Sequence, residues 1–253
     1  DGKWDSEKNR QVVFIQCVGS RDSERPYCSR TCCAHSIKNA LAIKARNPEA
    51  NVYILYRDIR TYSFMEEYYR QAREQGVIFI PYDPQQPPQV SKNEAGLLEI
   101  EVIDPDSGRQ IVLWPDRLVL ATAAVAPEEV EKLATLLKLP LNEDRFYVET
   151  HAKLAPVDFP SAGIFLCGAG HAPKFAREAM AQAEGAVARA CTILARQNLM
   201  VGGVIAMVEE EKCAACLTCV RVCPFNVPRI NERNVAEINA VQCMGCGTCA
   251  GEC

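Results

Sequence analysis

Apolar and polar positions change their period several times along this chain. "QVVFIQ" at 11–16 is a short β-branched run without polar interruption, the pattern of a strand buried on both faces of a parallel sheet. The first eleven residues, by contrast, are polar and read as a lead-in. After a polar loop, "AHSIKNALAIKARNP" places Ile37, Ala40, Leu41 and Ile43–Ala45 near helical spacing, and Pro48 stops the helix. "NVYILYRDI" reads as a second strand. "SFMEEYYRQAREQG" reads as a second helix, with Ser63 as N-cap and Gly76 as C-terminal stop. "VIFIPY" makes a third strand. This β-loop-α-β-α-β order predicts half of a Rossmann fold.

The pattern then changes. Residues 83–96 are rich in Pro, Gln and Asn and read as turns, and "LLEIEVIDPDSGRQIVLWP" reads as an antiparallel hairpin around Asp106, Ser107 and Gly108. "RLVLATA" reads as a further buried strand, 127–138 as a helix, and "GIFLCGAG" as a strand and turn. "PKFAREAMAQAEGAVARACTILARQ" reads as a long Ala-rich helix. The last stretch changes abruptly to a cysteine-rich composition. Three pieces are expected: 1–115, 116–200 and 201–253.

Charge narrows the partners. A net charge of −4 and a pI near 5.6 give no basic footprint for nucleic acid. No apolar run approaches the length of a membrane span, and no signal-peptide pattern opens the chain. With 253 residues and 48% hydrophobic content, two to three domains are expected. Fourteen cysteines are many for such a chain, and they are clustered: four within 17–33 and eight within 213–253. Without a secretion signal, clusters of regularly spaced cysteines point to metal rather than to a disulfide framework.

"CAACLTCVRVCPF" and "CMGCGTCAGEC" are two copies of C-x2-C-x2-C-x3-C, the bacterial ferredoxin run, in which each fourth cysteine serves the other cluster. Cys213, Cys216, Cys219 and Cys253 are therefore assigned to one [4Fe–4S] cube. Cys243, Cys246, Cys249 and Cys223 are assigned to a second. Pro224 belongs to the same pattern. A zinc tetrathiolate would show separated C-x2-C pairs instead. The chain stops on a ligand, Cys253, which predicts that it is a fragment of a longer protein.

"CVGSRDSERPYCSRTCC" raises a different question. Cys17, Cys28, Cys32 and Cys33 match neither a ferredoxin, a zinc ribbon nor a C-x-x-C redox pair. On spacing alone a metal cluster competes with one disulfide and two spare thiols. A helix beginning beside Cys32 and Cys33 would favour a negatively charged, thiolate-ligated cluster. The phrases "VVFIQCVGSRD", "YCSRTCC", "ALAIKARNPEANVYILYRDIR" and "GIFLCGAGHAPK…AMAQA" resemble the HdrA family, the flavin-carrying subunits of heterodisulfide reductase, from about residue 10 to the end. The resemblance implies that these four positions bind a further [4Fe–4S] cluster beside a flavin. It implies an α/β fold of thioredoxin-reductase-like Rossmann half-domains plus a C-terminal 2[4Fe–4S] ferredoxin module. Residues 1–115 would be the NAD(P)H-domain-like part, 116–200 the C-terminal part of the FAD domain, and 201–253 the ferredoxin.

The flavin signals are weaker than the cysteines. "GIFLCGAG" before a helix resembles the second FAD motif, in which a glycine turn and a helix N-terminus meet the cofactor. Gly168, Ala169, Gly170, Pro173, Lys174 and Gln182 are the candidate contacts. Ala169 replaces the usual acidic residue and Ala123 the glycine of A-T-G, so backbone donors are expected at the ribityl chain. No G-x-G-x-x-G follows a strand; in the family that fingerprint lies in an N-terminal half, which this chain lacks. Cys167 and Cys191 read as small buried hydrophobes, His35 and His151 as structural, and Tyr62, Phe64, Tyr68 and Tyr69 as core and interface. His171 lies next to the flavin turn. "EEEK" at 209–212 reads as a solvated linker.

No residue looks like a substrate nucleophile or general base. The resemblance implies a cytoplasmic FAD and iron–sulfur oxidoreductase subunit with three [4Fe–4S] clusters, linked to flavin-based electron bifurcation. Its partners would be the other subunits of a heterodisulfide-reductase-type complex, an electron-donating hydrogenase or dehydrogenase, and a second copy of itself. A relative serving sulfate or aromatic-ring reduction would use the same core. Ala123 and Ala169 also keep open a non-catalytic, cluster-carrying adaptor. A pyridine-nucleotide disulfide oxidoreductase fits least, since it needs a glycine turn at 17–33 and a C-x-x-C dithiol.

Overall fold

The computed structural model describes residues 10–198 and 203–253. The polar lead-in over residues 1–9 and the boundary at 200/201 lie outside those residues. The chain divides into two units, Asp1–Ala124 and Val125–Cys253.

The first unit runs β1 (Gln11–Val18), α1 (Cys32–Arg46), β2 (Asn51–Tyr56), α2 (Glu66–Glu74), β3 (Ile78–Pro81), β4 (Gln89–Lys92), β5 (Leu98–Ile103), β6 (Gln110–Leu113) and β7 (Arg117–Thr122). A parallel sheet has the order β3-β2-β1-β7, and β4-β5-β6 form a separate antiparallel sheet. Alternation along β1 explains its unbroken apolar run. Val12 and Phe14 join Val52, Ile54, Ile37, Ala40 and Ala72 in one core, on the side of α1 and α2. Val13 and Ile15 join Leu55, Ile80, Ile100, Val102 and Leu113 in the other, against the antiparallel sheet. Both faces of the strand are covered, as in parallel sheets generally.

Several expectations change here. β4 lies within the stretch that reads as turns; its side chains are exposed, so only backbone pairing with β5 defines it. Ser63 is not an N-cap: it sits at φ +57 and opens a 3₁₀ turn that precedes α2. "RLVLATA" is an edge strand rather than a buried one, with Leu120 49% exposed. β7 also pairs with β1, and so belongs with the first unit rather than with a piece beginning at residue 116. Gly76 does stop α2, at φ +78, its N–H donating to the Arg73 carbonyl at 3.0 Å.

The second unit holds α3 (Val130–Leu137), α4 (Ala176–Leu194), α5 (Thr218–Val222), β8 (Arg229–Ile230), β9 (Ala236–Glu237) and α6 (Thr248–Gly251). "GIFLC" makes one isolated bridge, Asp158 to Phe165, and no strand. Its apolar character instead serves a small core of Leu166, Phe159, Ala134 and Leu139.

Candidate metal centres and flavin turn

The two ferredoxin runs fold alike. Ala215 and Leu217 in the first run take φ +52 and +65, and Gly245 and Gly247 take φ +63 and +79 at the same positions of the second. These left-handed residues curl each loop around its first two cysteines, and the third lies in the first turn of α5 or α6. Thr218 Oγ1 lies 3.3 Å from Cys216 Sγ, and Thr248 Oγ1 lies 3.5 Å from Cys246 Sγ. The halves also cross over: the Ala236 N–H donates to Cys213 Sγ and the Ala206 N–H to Cys243 Sγ, both at 3.4 Å.

The two runs bring their thiols together around two cavities. Burial raises the Cys219 thiol, and Cys213, Cys216 and Cys253 raise it further. Burial raises Cys249 likewise, joined by Cys223, Cys243 and Cys246. A cavity of about 380 Å³ is lined by Cys213, Cys216, Cys219, Cys249 and Cys253. A smaller one, about 20 Å³, is lined by Cys223, Cys243, Cys246 and Cys249. Among the described residues no three His, Cys, Asp or Glu side chains close around a single ion. One zinc would draw each sulfur to about 2.3 Å. An all-thiolate donor set at the ferredoxin spacing is the chemistry of [4Fe–4S] clusters, so the donors fit them.

The opening loop is built on a bulge. The β1–β7 register shifts between Ile15 and Val18, and Cys17 takes φ +60 within that break. α1 starts on Cys32 and Cys33, earlier than the apolar period suggests, so both thiols occupy its first turn. The loop is tied to the end of β7: Tyr27 Oη donates to the Ala124 carbonyl at 2.8 Å, and the Ala124 N–H donates to Ser29 Oγ at 2.9 Å. Burial raises the Cys17 thiol; Arg21 opposes that, while Cys33 and Cys28 add to it. A hydrogen bond between the neighbours lowers Cys32 and raises Cys33, and Cys32 also feels Cys17 and Cys28. All four loop thiols thus act on one another.

Sequence reasoning missed the rim of this loop. "RDIR" at 57–60 follows β2 and touches it repeatedly. Arg57 Nη1 donates to the Arg21 carbonyl at 2.7 Å, and Cys33 Sγ donates to the Asp58 carbonyl at 3.9 Å. Arg21 Nη1 donates both to Cys17 Sγ at 4.0 Å and to the Asp58 carboxylate. Arg60 donates to Asp58 Oδ2 from Nε at 3.3 Å and from Nη2 at 3.2 Å. Nothing in the period of that segment sets these arginines apart from surface charges.

The glycine turn is a 3₁₀ turn over Gly168–Gly170, and Gly168 takes φ +76 with open space where a Cβ would stand. Lys174 Nζ donates to the Gly168 carbonyl and to Gln182 Oε1, each at 2.9 Å. Gln182 Oε1 also accepts the Gly168 N–H at 2.9 Å, and Gln182 Nε2 donates to His171 Nδ1 at 2.9 Å. With Nδ1 accepting, Nε2–H is left to face Glu149 Oε2, 2.9 Å away. The turn therefore brings Gly168, Lys174 and Gln182 together and adds His171 and Glu149. Pro173 is buried beside them, and Ala169 presents no carboxylate. Cys167 and Cys191 are exposed, not buried as expected. Phe64 and Tyr68 are also exposed, so they are not core.

The family model described as a 4Fe-4S dicluster domain matches residues 205–253. The HdrA subunit of the H(2):CoB-CoM heterodisulfide,ferredoxin reductase of Methanothermobacter thermautotrophicus is 37% identical over 93% of this chain and 36% of its own length. The corresponding iron–sulfur subunit of the CoB–CoM heterodisulfide reductase of Methanocaldococcus jannaschii is 39% identical over 94% of this chain and 37% of its own. The chain is homologous to the HdrA subunit of heterodisulfide reductase. It spans little more than a third of the length of these HdrA relatives. The HdrA subunit of the H(2)/formate:CoB-CoM heterodisulfide,ferredoxin reductase of Methanococcus maripaludis is 36% identical over 91% of this chain and 35% of its own length. A thioredoxin reductase of T. acidophilum superposes with a TM-score of 0.42 at 15% identity, over 72% of this chain and 50% of that one. No helix of the described residues is long and apolar enough to cross a membrane.

Proposed function

We propose that the chain is the electron-carrying part of a cytoplasmic HdrA in a heterodisulfide-reductase-type complex, holding three [4Fe–4S] clusters and one face of an FAD. The observation that carries this reading is the gathering of cysteines in three places: two cavities at the ferredoxin runs, and the loop where the bulge at Cys17 meets the first turn of α1. When bound, flavin exchanges electrons in pairs or singly and each cube carries one, which is the chemistry HdrA would lend its complex.

The protein's own groups position and shield those centres. The first unit, β7 included, would form a pyridine-nucleotide-type domain whose phosphate turn is replaced by Cys17, Cys28, Cys32 and Cys33. The part of the second unit before the cysteine runs would complete an FAD domain, and 201–253 the ferredoxin. At the flavin turn, open space at Gly168 lets a cofactor approach the backbone. The Gly168 N–H is already given to Gln182, so the amides of Ala169 and Gly170 would meet the ribityl chain. Pro173, Lys174 and Gln182 would hold the turn in shape. The adenine half would lie against residues outside this chain.

The names of the relatives, which include H2, formate, ferredoxin and the CoB-CoM heterodisulfide, favour a hydrogenase or formate dehydrogenase as electron donor. They favour sister subunits for the disulfide chemistry and coupling of two acceptors by bifurcation. A second copy of HdrA completes the proposed assembly. The full-length protein, purified without oxygen, should bleach a flavin band and develop cluster signals in electron paramagnetic resonance on stepwise reduction. Full-rate electron transfer by a flavin-free preparation would favour the cluster-carrying adaptor.

A further inference from the structure

Taking up an electron adds one negative charge to a thiolate-bound cluster. Fixed charges within a few ångströms therefore set how readily that happens, and they act strongly where water is partly excluded. At the opening loop two residues that touch the sulfurs and carry charge also bind each other. Arg21, itself in a left-handed conformation at φ +59, reaches Cys17 Sγ and the Asp58 carboxylate through the same Nη1. Asp58 reaches a second thiol of the set: its carbonyl accepts from Cys33 Sγ, and its carboxylate holds Arg60 as well.

Resting on the loop-cluster reading above, we propose that Arg21 and Asp58 set the reduction potential of that cluster as an opposed pair. Arg21 raises it by donating to Cys17 and placing a cation beside the sulfur. Asp58 lowers it by its own charge and by drawing the same guanidinium away. Neither residue ligates; both act through the cysteines.

Both are charged in place: a guanidinium stays protonated in proteins, and the Asp58 carboxylate accepts from Arg21 and twice from Arg60. The side chains are only 20% and 43% exposed, so screening by water is incomplete. Arg57 fixes the backbone at Arg21 through its bond to the Arg21 carbonyl. The guanidinium is thus presented from a held backbone rather than from a free loop.

Two substitutions should move the potential in opposite directions, which a merely structural role would not do. The signal of the loop cluster is the one lost in Cys33→Ser during a redox titration of the full-length protein followed by electron paramagnetic resonance. Arg21→Gln should shift that signal to a more negative potential, and Asp58→Asn to a more positive one. The double variant should lie between the two single variants, with Asp58→Asn moving the potential less where Arg21 is already gone, as coupling requires. Iron content should be unchanged throughout. Shifts of the same sign, or no shift in either variant, would overturn the proposal. Should Arg21→Gln lose iron, Asp58→Asn must still move the potential up while Arg21→Lys leaves it in place, or the proposal falls. A different failure is separable: if Cys33→Ser removes no signal at all, the loop holds no cluster and the underlying reading fails first.

Discussion

A Cβ on Gly245 would lie 2.4 Å from the Val204 carbonyl oxygen, closer than real contacts allow, and the residue sits at φ +63 besides. Its counterpart in the first run is Ala215, at φ +52, which carries a Cβ. Gly245→Ala should therefore cost the second run its loop and reduce bound iron, whereas Ala215→Gly should keep both cubes. Iron and sulfide analysis of the two variants checks this; an iron-replete Gly245→Ala would show that the Val204 segment can move aside. The cysteine runs are legible in the sequence because their ligand spacing is local. The need for glycine at 245 is not, because its obstacle lies in a distant segment. The bulge at Cys17 and the arginine rim around the loop are hidden for the same reason: each depends on what another strand places opposite.

At the scale of elements, β1, β2 and α1 are readable from their runs and periods, and the half-Rossmann order follows. β7 reads as buried because its composition matches β1; only its place at the sheet edge distinguishes them. α4 begins where the Glu178 carboxylate accepts the Phe175 N–H at 2.8 Å. Glu178→Ala should cost about 1 kcal/mol of stability, measurable by denaturant unfolding; an unchanged midpoint would show that the helix start is held by other contacts. The Glu149 carboxyl is held below the usual carboxylate range, first by its own backbone N–H and then by His171. A depressed carboxyl stabilises the fold above its unfolded value, about 4.3, and loses that effect as the pH falls through the lower folded value. Glu149→Gln should therefore flatten the fall in stability below about pH 4. A pH series of thermal melts that keeps the wild-type slope would contradict this.

Taken whole, the chain joins a Rossmann-type sheet unit to a unit that ends in a dicluster ferredoxin. The dicluster ferredoxin is legible in the sequence, since eight cysteines at fixed spacing leave few alternatives. The loop is only half legible: four thiols without a known spacing need the fold to bring them together. The measurement that bears most directly on the account is iron and acid-labile sulfide in the 253-residue chain, reconstituted and desalted without oxygen. Three cubes predict about twelve irons per chain, falling to about eight in Cys32→Ser or Cys33→Ser with both ferredoxin signals intact. About eight irons in the unaltered chain, with a loop that gains or loses two hydrogens under oxidant and reductant, would contradict it.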